Sequence, residues 1–254
     1  MRNIVSMTLA AAAVALFSTA SQAGLITLGS HAGGGGQTCF GNSAGTSTGL
    51  DADGMPTGVG SGGDCVQITP HSLWKSGETA NLFVDDSTPS ALGDDHPVWI
   101  SFANTGLGGV LNAPVGNTNL LQPNMIVTQE FHMDTDGLAS LRQWADDTVA
   151  VYIDGIGLVG ANVANFSQNI CAGGSPGCEQ GESSFGEIEL EAGDHVITWL
   201  AWQVGTGNTA NSNPFGLLYI GQITQLDQVP EPGALALMGL GLVGLIGARR
   251  RRMA

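Results

Sequence analysis

The chain has 254 residues, of which 43% are hydrophobic and 11% are charged, and its formal net charge is −15. Residues 24–229 contain 21 acidic residues but only two basic ones, Lys75 and Arg142, so this stretch carries a net charge of −19. A body this acidic is repelled by phosphate backbones, which excludes nucleic-acid binding. The 39 glycines follow no collagen period and therefore predict turns and loops.

The N-terminal residues have the parts of a secretory signal peptide. Arg2 supplies a positive charge, an apolar run follows at residues 7–17, and small side chains precede Gly24. The apolar run is too short to span a bilayer comfortably. We therefore predict a signal peptide over residues 1–23, cleavage between Ala23 and Gly24, and an exported mature protein.

Residues 24–64 are rich in glycine and show no apolar period, so we predict a loop or an N-terminal segment there. The four cysteines of the chain are Cys39, Cys65, Cys171 and Cys178. An even number in an exported chain favours disulfides, and the absence of a C-x₂-C pair disfavours a zinc site. Three pairings are open. Proximity along the chain favours Cys39–Cys65 and Cys171–Cys178, with free or metal-binding cysteines as the alternative.

Short runs with alternating apolar residues predict β-strands through residues 65–228. The runs are TANLFV, PVWISFA, MIVTQEFHM, TVAVYID, EIELE, HVITWLAWQV and GLLYIGQI. In MIVTQEFHM, four apolar residues share one face, namely Met125, Val127, Phe131 and Met133. Both faces of HVITWLAWQV are apolar, which predicts a strand that is buried on both sides. No long segment has a helical period, so we predict an all-β domain with an antiparallel β-sandwich.

Two segments within residues 125–226 resemble jelly-roll domains of the galactose-binding-like kind. The segment WADDTVAVYIDG (144–155) has a W-x-x-D-D step before a strand that ends in D-G, and LEAGDHVITWLAW (190–202) has a turn that leads into a core strand. The resemblance implies a jelly-roll sandwich in a secreted sugar-binding or adhesive module. This fold hosts many functions, so the resemblance does not identify a ligand.

Four aspartates are candidate ligands for Ca²⁺, which is the only cofactor that the sequence suggests: Asp134, Asp136, Asp146 and Asp147. Asp134 and Asp136 belong to a D-x-D-G loop, where oxygens spaced two residues apart can converge on the ion. Asp146 and Asp147 directly precede a strand. The alternative is turn chemistry, in which each carboxylate bonds to nearby backbone N–H groups.

Trp144 is the candidate for sugar contact, because we expect it at a strand edge beside acidic residues. Aromatic rings at such positions offer flat surfaces on which a sugar ring can stack. The other tryptophans fall mostly in strand-like runs, and a place in the core is the alternative for Trp144 as well.

No catalytic constellation is recognisable. The GNSAG segment at residues 41–45 lacks the strand and helix that a nucleophile elbow needs, and GIGLVG at 155–160 lacks a βαβ unit. We therefore predict that the protein is not an enzyme. The alternative is a secreted glycan-active enzyme on a β-sandwich, because the separation of paired carboxylates is a three-dimensional property.

The C-terminal tail begins with two prolines and ends in arginines. Residues 233–248 are uncharged, and at about 1.5 Å per residue their helix would be about 24 Å long, slightly short of a bilayer core. The arginines are expected to stay on the cytoplasmic side. Pro230 and Pro232 keep the backbone before the helix extended. The tail thus predicts a single transmembrane helix with the body outside the inner membrane.

The whole tail, residues 229–254, resembles a PEP-CTERM sorting signal. The residues that carry this resemblance are Val229, Pro230, Glu231 and Pro232, then the apolar run, and finally Arg249, Arg250, Arg251 and Arg252. The resemblance implies an exosortase as the processing partner, in a Gram-negative bacterium that produces exopolysaccharide. An ordinary C-terminal anchor is the alternative, but it leaves the prolines unexplained.

These features together predict an exported protein that an exosortase releases from the inner membrane to the cell surface or the extracellular matrix. There it would act as a non-enzymatic binding or structural module that associates with exopolysaccharide.

Overall fold

Antiparallel β-strands make up nearly all the regular structure of the computed structural model. The described residues are 24–31, 36–41, 49–50, 56–57, 62–83, 88–90, 92–109, 123–146, 148–158, 183–203 and 214–226. The predicted signal peptide, Asp147, Cys171, Cys178 and the predicted sorting tail lie outside these ranges. The described residues between Leu25 and Gln225 belong to one compact unit. A search for a membrane-spanning helix, confined to the described ranges, finds none of sufficient length and apolarity.

The strands are β1 (Leu25–Gly29), β2 (Gln37–Gly41), β3 (Gly49–Leu50), β4 (Pro56–Thr57), β5 (Gly63–Asp64), β6 (Val66–Gln67), β7 (Ile100–Ser101), β8 (Met125–Met133), β9 (Gly137–Asp146), β10 (Thr148–Ile153), β11 (Ile156–Gly157), β12 (Ser184–Leu190), β13 (Gly193–Trp202) and β14 (Gly216–Gln225). A single 3₁₀ turn at Gly77–Thr79 interrupts the described β-structure.

Two six-stranded sheets contain all of these strands except the small β3–β4 hairpin. Sheet A has the strand order β12-β9-β14-β7-β6, and β1 pairs with β14 as an additional strand. Sheet B has the order β11-β10-β13-β8-β2-β5. Every described pairing is antiparallel. The expectation of an all-β architecture is therefore confirmed, and the finer jelly-roll topology stays a prediction.

One hydrophobic core lies between the two sheets, which makes the arrangement a β-sandwich. The rings of Trp199 on β13 and Tyr219 on β14 stack across it, with centroids 3.9 Å apart. The Tyr219 hydroxyl donates to Gln129 Oε1 on β8 at 2.8 Å, so even this polar atom is satisfied inside the core. Burial raises the pKa of Tyr219 well above its ordinary 10.0, against the smaller lowering effect of a hydrogen bond with Gln37.

The two longest strand predictions agree with the structure residue by residue. Strand β8 coincides with MIVTQEFHM, and Met125, Val127 and Met133 belong to the core between the sheets, with Phe131 packed against it. Strand β13 is buried on both faces over residues 197–202. Its inner face contributes to the core between the sheets, and its outer face contributes Leu200 and Trp202 to a separate apolar cluster.

The outer face of sheet A carries a second apolar cluster, which the chain between β6 and β7 covers. Trp74, Leu82 and Trp99 from this covering segment pack against Trp144 and Leu218 of the sheet. The rings of Trp74 and Trp99 lie with their centroids 4.2 Å apart. At this edge, the covering segment, sheet A and sheet B therefore form three layers.

The N-terminal part of the domain differs from its prediction. Residues 24–64 were expected to be a glycine-rich loop or an N-terminal segment, whereas β1 pairs with β14 over five residues and β2 pairs with β8. Strand β1 is largely apolar, and its Ile26 and Leu28 contact the core between the sheets, whereas β2 begins with the polar residues Gln37 and Thr38. The domain thus begins at β1, well before residue 65.

The predicted Cys39–Cys65 disulfide is confirmed, with the Cα atoms 5.0 Å apart. Cys65 lies between β5 of sheet B and β6 of sheet A, and Cys39 lies on β2 of sheet B. The bond therefore fixes the point at which the chain crosses from one sheet to the other. The predicted Cys171–Cys178 pair lies outside the described residues.

Two further strand predictions need correction. The described part of TANLFV holds the end of the 3₁₀ helix and a bend, and only Ile100–Ser101 of PVWISFA pair as a strand. Both segments belong to the covering segment on sheet A, where side chains are buried without ladder pairing. Strand β9, a central strand of sheet A with ten residues, was not predicted at all.

Candidate functional site

A groove lies at the β6–β7 edge of sheet A, between the covering segment and the sheet. Its cavity volume is about 240 Å³. The lining residues come from three short stretches of chain: Gln67, Ile68 and Pro70 after β6; Ser76, Gly77 and Glu78 in the 3₁₀ turn; and His96, Pro97, Val98 and Trp99 before β7. Ile68, Pro97 and Trp99 are buried, while Gln67, Pro70 and Glu78 are exposed.

Hydrogen bonds hold the three stretches together. The Ile68 N–H donates to the Trp99 carbonyl at 2.9 Å, and the Trp99 indole N–H donates to the Lys75 carbonyl at 2.8 Å. The Ser76 side chain caps the 3₁₀ turn by accepting from the Glu78 N–H at 3.3 Å. The groove is therefore built by ordered backbone and not by loose loops.

Gly77 allows the closest approach in this groove. A Cβ atom at this position would collide with the carbonyl oxygen of Pro97, so only glycine lets the 3₁₀ turn lie directly against the 96–99 stretch. The φ angle of Gly77 is not in the left-handed region, so the requirement is one of space and not of backbone conformation.

Four of the side chains that line the groove are polar, and one of these is a carboxylate. Glu78 supplies one carboxylate, Gln67 an amide, Ser76 a hydroxyl and His96 an imidazole, and no lysine or arginine lines the cavity. These groups offer both hydrogen-bond donors and acceptors. The arrangement can hold a small polar ligand, and it shows no nucleophile held by a base.

The aspartates that were predicted as Ca²⁺ ligands lie at two opposite ends of β9. Asp134 and Asp136 are in the loop between β8 and β9, whereas Asp146 is the last residue of β9 and is buried. At about 3.3 Å per residue, a ten-residue strand places these ends about 30 Å apart, so the two candidate pairs do not share one site. Asp147 lies outside the described residues.

The side chains of the D-x-D-G loop make structural contacts instead. Asp136 Oδ1 accepts from the Ala192 N–H at 2.9 Å, and Asp134 Oδ1 lies 3.6 Å from His132 Nε2. The Gln225 side chain accepts from the Asp134 N–H at 2.9 Å. Among the residues that the structure describes, no cluster of three or more His, Cys, Asp or Glu side chains has a metal-holding arrangement. The Ca²⁺ site stays a prediction, without geometric support in the described residues.

His195, a buried histidine on β13, lies near the D-x-D-G loop, at the end of sheet B where β8 leads into that loop. His195 Nδ1 is 2.7 Å from Asp154 Oδ2, and His195 Nε2 is 2.8 Å from the Glu191 carbonyl oxygen. Asp154 and Gly155 form the tight turn between β10 and β11, with φ angles of 50° and 76°. Gly155, the first glycine of the GIGLVG segment, belongs to this turn, and the described part of that segment continues into β11 (Ile156–Gly157) and Leu158.

The protonated form of His195 is favoured by its surroundings. Burial lowers the pKa of His195, but the hydrogen bonds that its ring donates to Asp154 and to the Glu191 carbonyl, together with the charges of Asp154 and Asp194, raise it above the ordinary 6.5. Both ring nitrogens face acceptors, so only the imidazolium satisfies both. Because both of its ring nitrogens are engaged, His195 has a structural role.

Trp144 does not present a surface to sugars, and this prediction is corrected. Its side chain is 0% exposed and belongs to the apolar cluster beneath the covering segment. Lys75 Nζ lies 6.0 Å from the centre of the Trp144 ring, so one face of the ring meets a buried cation. The core interpretation, which the sequence left open, is the one that the structure supports.

Sequence patterns did not reveal the groove residues. They lie in three segments without a common motif, and only the close approach at Gly77 makes them neighbours. By contrast, the D-G dipeptide at 154–155 signals a tight hairpin turn. The pairing of Asp154 with His195, 41 residues further along the chain, has no local signal in the sequence.

A known protein family matches the C-terminal tail of the chain. The family described as the PEP-CTERM protein-sorting motif matches residues 228–252. No curated protein sequence matches the chain.

The structural similarities are remote. A family 35 carbohydrate binding module from Clostridium thermocellum aligns at 10% identity over 51% of this chain and 80% of its own, with a TM-score of 0.26. The K3 adhesin domain of Lys-gingipain from Porphyromonas gingivalis aligns at 14% identity over 55% and 81%, with a TM-score of 0.25. A β-glucosidase from Kluyveromyces marxianus aligns at 15% identity over 45% of this chain but only 12% of its own, with a TM-score of 0.25. Values this low carry no conclusion about activity.

The match to the sorting motif rests on sequence and not on fold. It covers the tail in which the prolines, the apolar run and the arginines occur in order. The chain carries a PEP-CTERM sorting motif at residues 228–252, which indicates an exported protein whose C-terminus is held transiently at a membrane and processed by an exosortase.

Proposed function

We propose that this protein is a surface or extracellular-matrix component of a Gram-negative bacterium, where its β-sandwich associates with exopolysaccharide without catalysing a reaction. The observation that carries this proposal is the sorting motif at residues 228–252. Exosortase processing would remove the membrane anchor and leave the acidic domain outside the cell.

Two features of the domain support a place outside the cytoplasm. The Cys39–Cys65 disulfide is a bond that persists in oxidising compartments. The strong negative charge of residues 24–229 favours solubility and mutual repulsion of copies in a crowded matrix.

The roles of the buried His–Asp pair favour a non-enzymatic module. Both ring nitrogens of His195 are engaged by Asp154 and the Glu191 carbonyl, and Asp154 Oδ1 also accepts from the Val196 N–H at 2.9 Å. A general base needs a free nitrogen that faces its substrate. His195 is therefore a structural element and not a catalytic base.

The sorting step can be tested in the native host with an internal epitope tag. In the wild-type strain we expect a shortened protein in the matrix, and in an exosortase deletion strain the full-length protein in the inner membrane. The double variant Pro230→Ala/Pro232→Ala should reproduce the deletion phenotype, because it lets the backbone before the helix leave its extended form. Equal size and equal release in all three strains would refute the proposal.

The association with polysaccharide needs a separate measurement. The mature protein, purified from the matrix, is mixed with the polysaccharide extracted from the same matrix. We expect saturable retention of the protein and an unchanged polymer size distribution. Shortening of the polymer would favour the enzyme alternative, and complete absence of retention would overturn the binding role.

A further inference from the structure

Strand β1 leaves part of an edge of sheet A open. Among the described strands it pairs only with β14, so its other side is an edge, and the outward backbone groups of Leu25 and Thr27 are called the open edge below. We propose that the open edge pairs with an extended segment of the exosortase while that enzyme processes the sorting tail. This inference rests on the proposed sorting and adds the surface that the processing partner contacts.

Hydrogen bonding along β1 shows which backbone groups point away from the sheet. The Ser30 N–H donates to the Tyr219 carbonyl at 3.1 Å, which continues the β1–β14 register by one residue. In an antiparallel ladder, hydrogen-bonded residues alternate with residues whose N–H and C=O groups point the other way. Every second residue counted back from Ser30 therefore bonds to β14, whereas Gly29, Thr27 and Leu25 direct their backbone groups outward.

Gln37 covers only one end of this outward row. Its side-chain Nε2 donates to the Gly29 carbonyl at 2.6 Å, and its Oε1 accepts from the His31 N–H at 3.0 Å. The amide thus replaces a peptide group of a neighbouring strand. Within the described part of the chain, no group bonds to the outward N–H and C=O groups of Leu25 and Thr27, and both residues are exposed. These groups are available to an incoming strand.

The side chains of β1 do not protect this edge. Sheet edges are commonly protected from pairing by charged residues or proline. Strand β1 has the sequence LITLG, which contains neither, and Leu25 is 56% exposed. Strand β12, at the other edge of sheet A, instead carries the exposed Glu187 and Glu189. Of these two edges, β1 is the one suited to accept a further strand.

The position of the sorting motif determines which protein reaches the open edge. Leu25 pairs with Thr224, one residue before β14 ends at Gln225. Pro230 follows Gln225 by five residues, which span at most about 18 Å even in a fully extended chain. A small folded domain is about 30 Å across. An enzyme that binds the backbone at Pro230 and Pro232 is therefore wide enough to contact the start of β1.

A lipid bilayer and a second copy of the chain suit the open edge less well. Hydrocarbon offers no partner to exposed N–H and C=O groups. Residues 24–229 carry a net charge of −19, so two copies repel each other. An extended protein segment supplies both the donors and the acceptors that the open edge lacks, which is the binding mode known as β-strand addition.

The test compares two substitutions of Thr27 in the full-length chain, produced in the native host with an internal epitope tag. Thr27→Pro removes an outward N–H, a change that an edge strand tolerates, whereas Thr27→Ala keeps this N–H and shortens only the side chain. Pulse labelling follows the conversion of the precursor to the shortened protein. We expect conversion about tenfold slower for Thr27→Pro, because one pairing hydrogen bond is lost, and the wild-type rate for Thr27→Ala.

A second measurement detects the contact itself. A photoreactive amino acid in place of Leu25 should form a crosslink to the exosortase. The same replacement of Ile156, which is 57% exposed on β11 of sheet B, should form none. Melting curves of the full-length precursor, purified in detergent, should show the same melting temperature for Thr27→Pro and the wild type. If Thr27→Pro lowers the melting temperature, the crosslink alone decides.

Two results would overturn the proposal: equal conversion rates of Thr27→Pro and the wild type, or crosslinks from position 25 to lipid or to a second copy instead of the exosortase. In either case the proposed sorting stands as long as processing is lost in the exosortase deletion strain. If processing persists in that strain, the proposed sorting falls, and the pairing of the open edge falls with it.

Discussion

Asp154 and His195 form a hydrogen-bonded pair across 41 positions of sequence, with 2.7 Å between Asp154 Oδ2 and His195 Nδ1. Asp154 belongs to the tight turn after β10, and His195 belongs to β13, the neighbouring strand in sheet B. The pair thus fixes a hairpin turn to a central strand. The His195 side chain is 10% exposed but that of Asp154 is 39% exposed, so solvent partly screens this pair.

This pair predicts that the free energy of unfolding depends on pH. The folded pKa of His195 lies above its unfolded value of about 6.5, so the stabilisation is complete below that pH. It is lost as the pH rises through the folded pKa. We expect a loss of about 1 kcal/mol or less, because solvent at the exposed Asp154 carboxylate screens the pair, in urea unfolding curves recorded from acidic to alkaline pH.

The matched variant for this prediction is Asp154→Asn. Asparagine tolerates the left-handed backbone of residue 154 and keeps an oxygen for the Val196 N–H, but it removes the charge. The pH dependence should become flatter in Asp154→Asn and in His195→Gln alike. A slope that persists in both variants would show that other groups cause it.

The inner face of β8 could be predicted from sequence because its apolar residues keep the period of two. Met125, Val127 and Met133 alternate on β8, and the core follows this alternation. Strand β9 gave no such signal, since alanine, serine, arginine and glutamine have weak β-propensity. Its strand structure is imposed by β12 and β14, which pair with it on both sides.

The candidate site could not be predicted because long-range packing creates it. Trp144 follows the local pattern of a strand edge, yet the segment between β6 and β7 covers it completely. The groove likewise joins residues 67, 78 and 96, which share no motif. Only the tail, whose function lies in a contiguous motif, could be assigned from sequence alone.

The Cys39–Cys65 disulfide should contribute substantially to stability. It closes a loop with a sequence separation of 26 residues, for which loop entropy predicts about 3.5 kcal/mol. Reduction of the wild type, or the double variant Cys39→Ser/Cys65→Ser, should lower the urea midpoint accordingly. The variant Cys171→Ser/Cys178→Ser serves as the comparison and should lose less, because the predicted Cys171–Cys178 bond would close a shorter loop. A wild-type midpoint that does not respond to reductant would contradict this expectation.

Gly77→Ala should be the most damaging glycine-to-alanine change near the groove. The added methyl group collides with the backbone of Pro97, and backbone cannot move aside as a flexible side chain can. We expect a loss of about 2 kcal/mol in unfolding free energy. Gly63→Ala is the matched control, because a Cβ there meets no atom within 4 Å, and its effect should be small. Equal stabilities of the two variants would show that the 3₁₀ turn is free to shift.

The last prediction separates turn chemistry from calcium binding at Asp136. Asp136→Ala removes the acceptor for the Ala192 N–H and should cost about 1 kcal/mol, whereas Asp136→Asn keeps an acceptor oxygen and should cost less. Because the contacts of Asp136 are internal, we expect the same losses in Ca²⁺ and in EDTA. If Ca²⁺ instead raises the wild-type melting temperature and Asp136→Asn abolishes that rise, the carboxylate binds the ion and the turn interpretation fails.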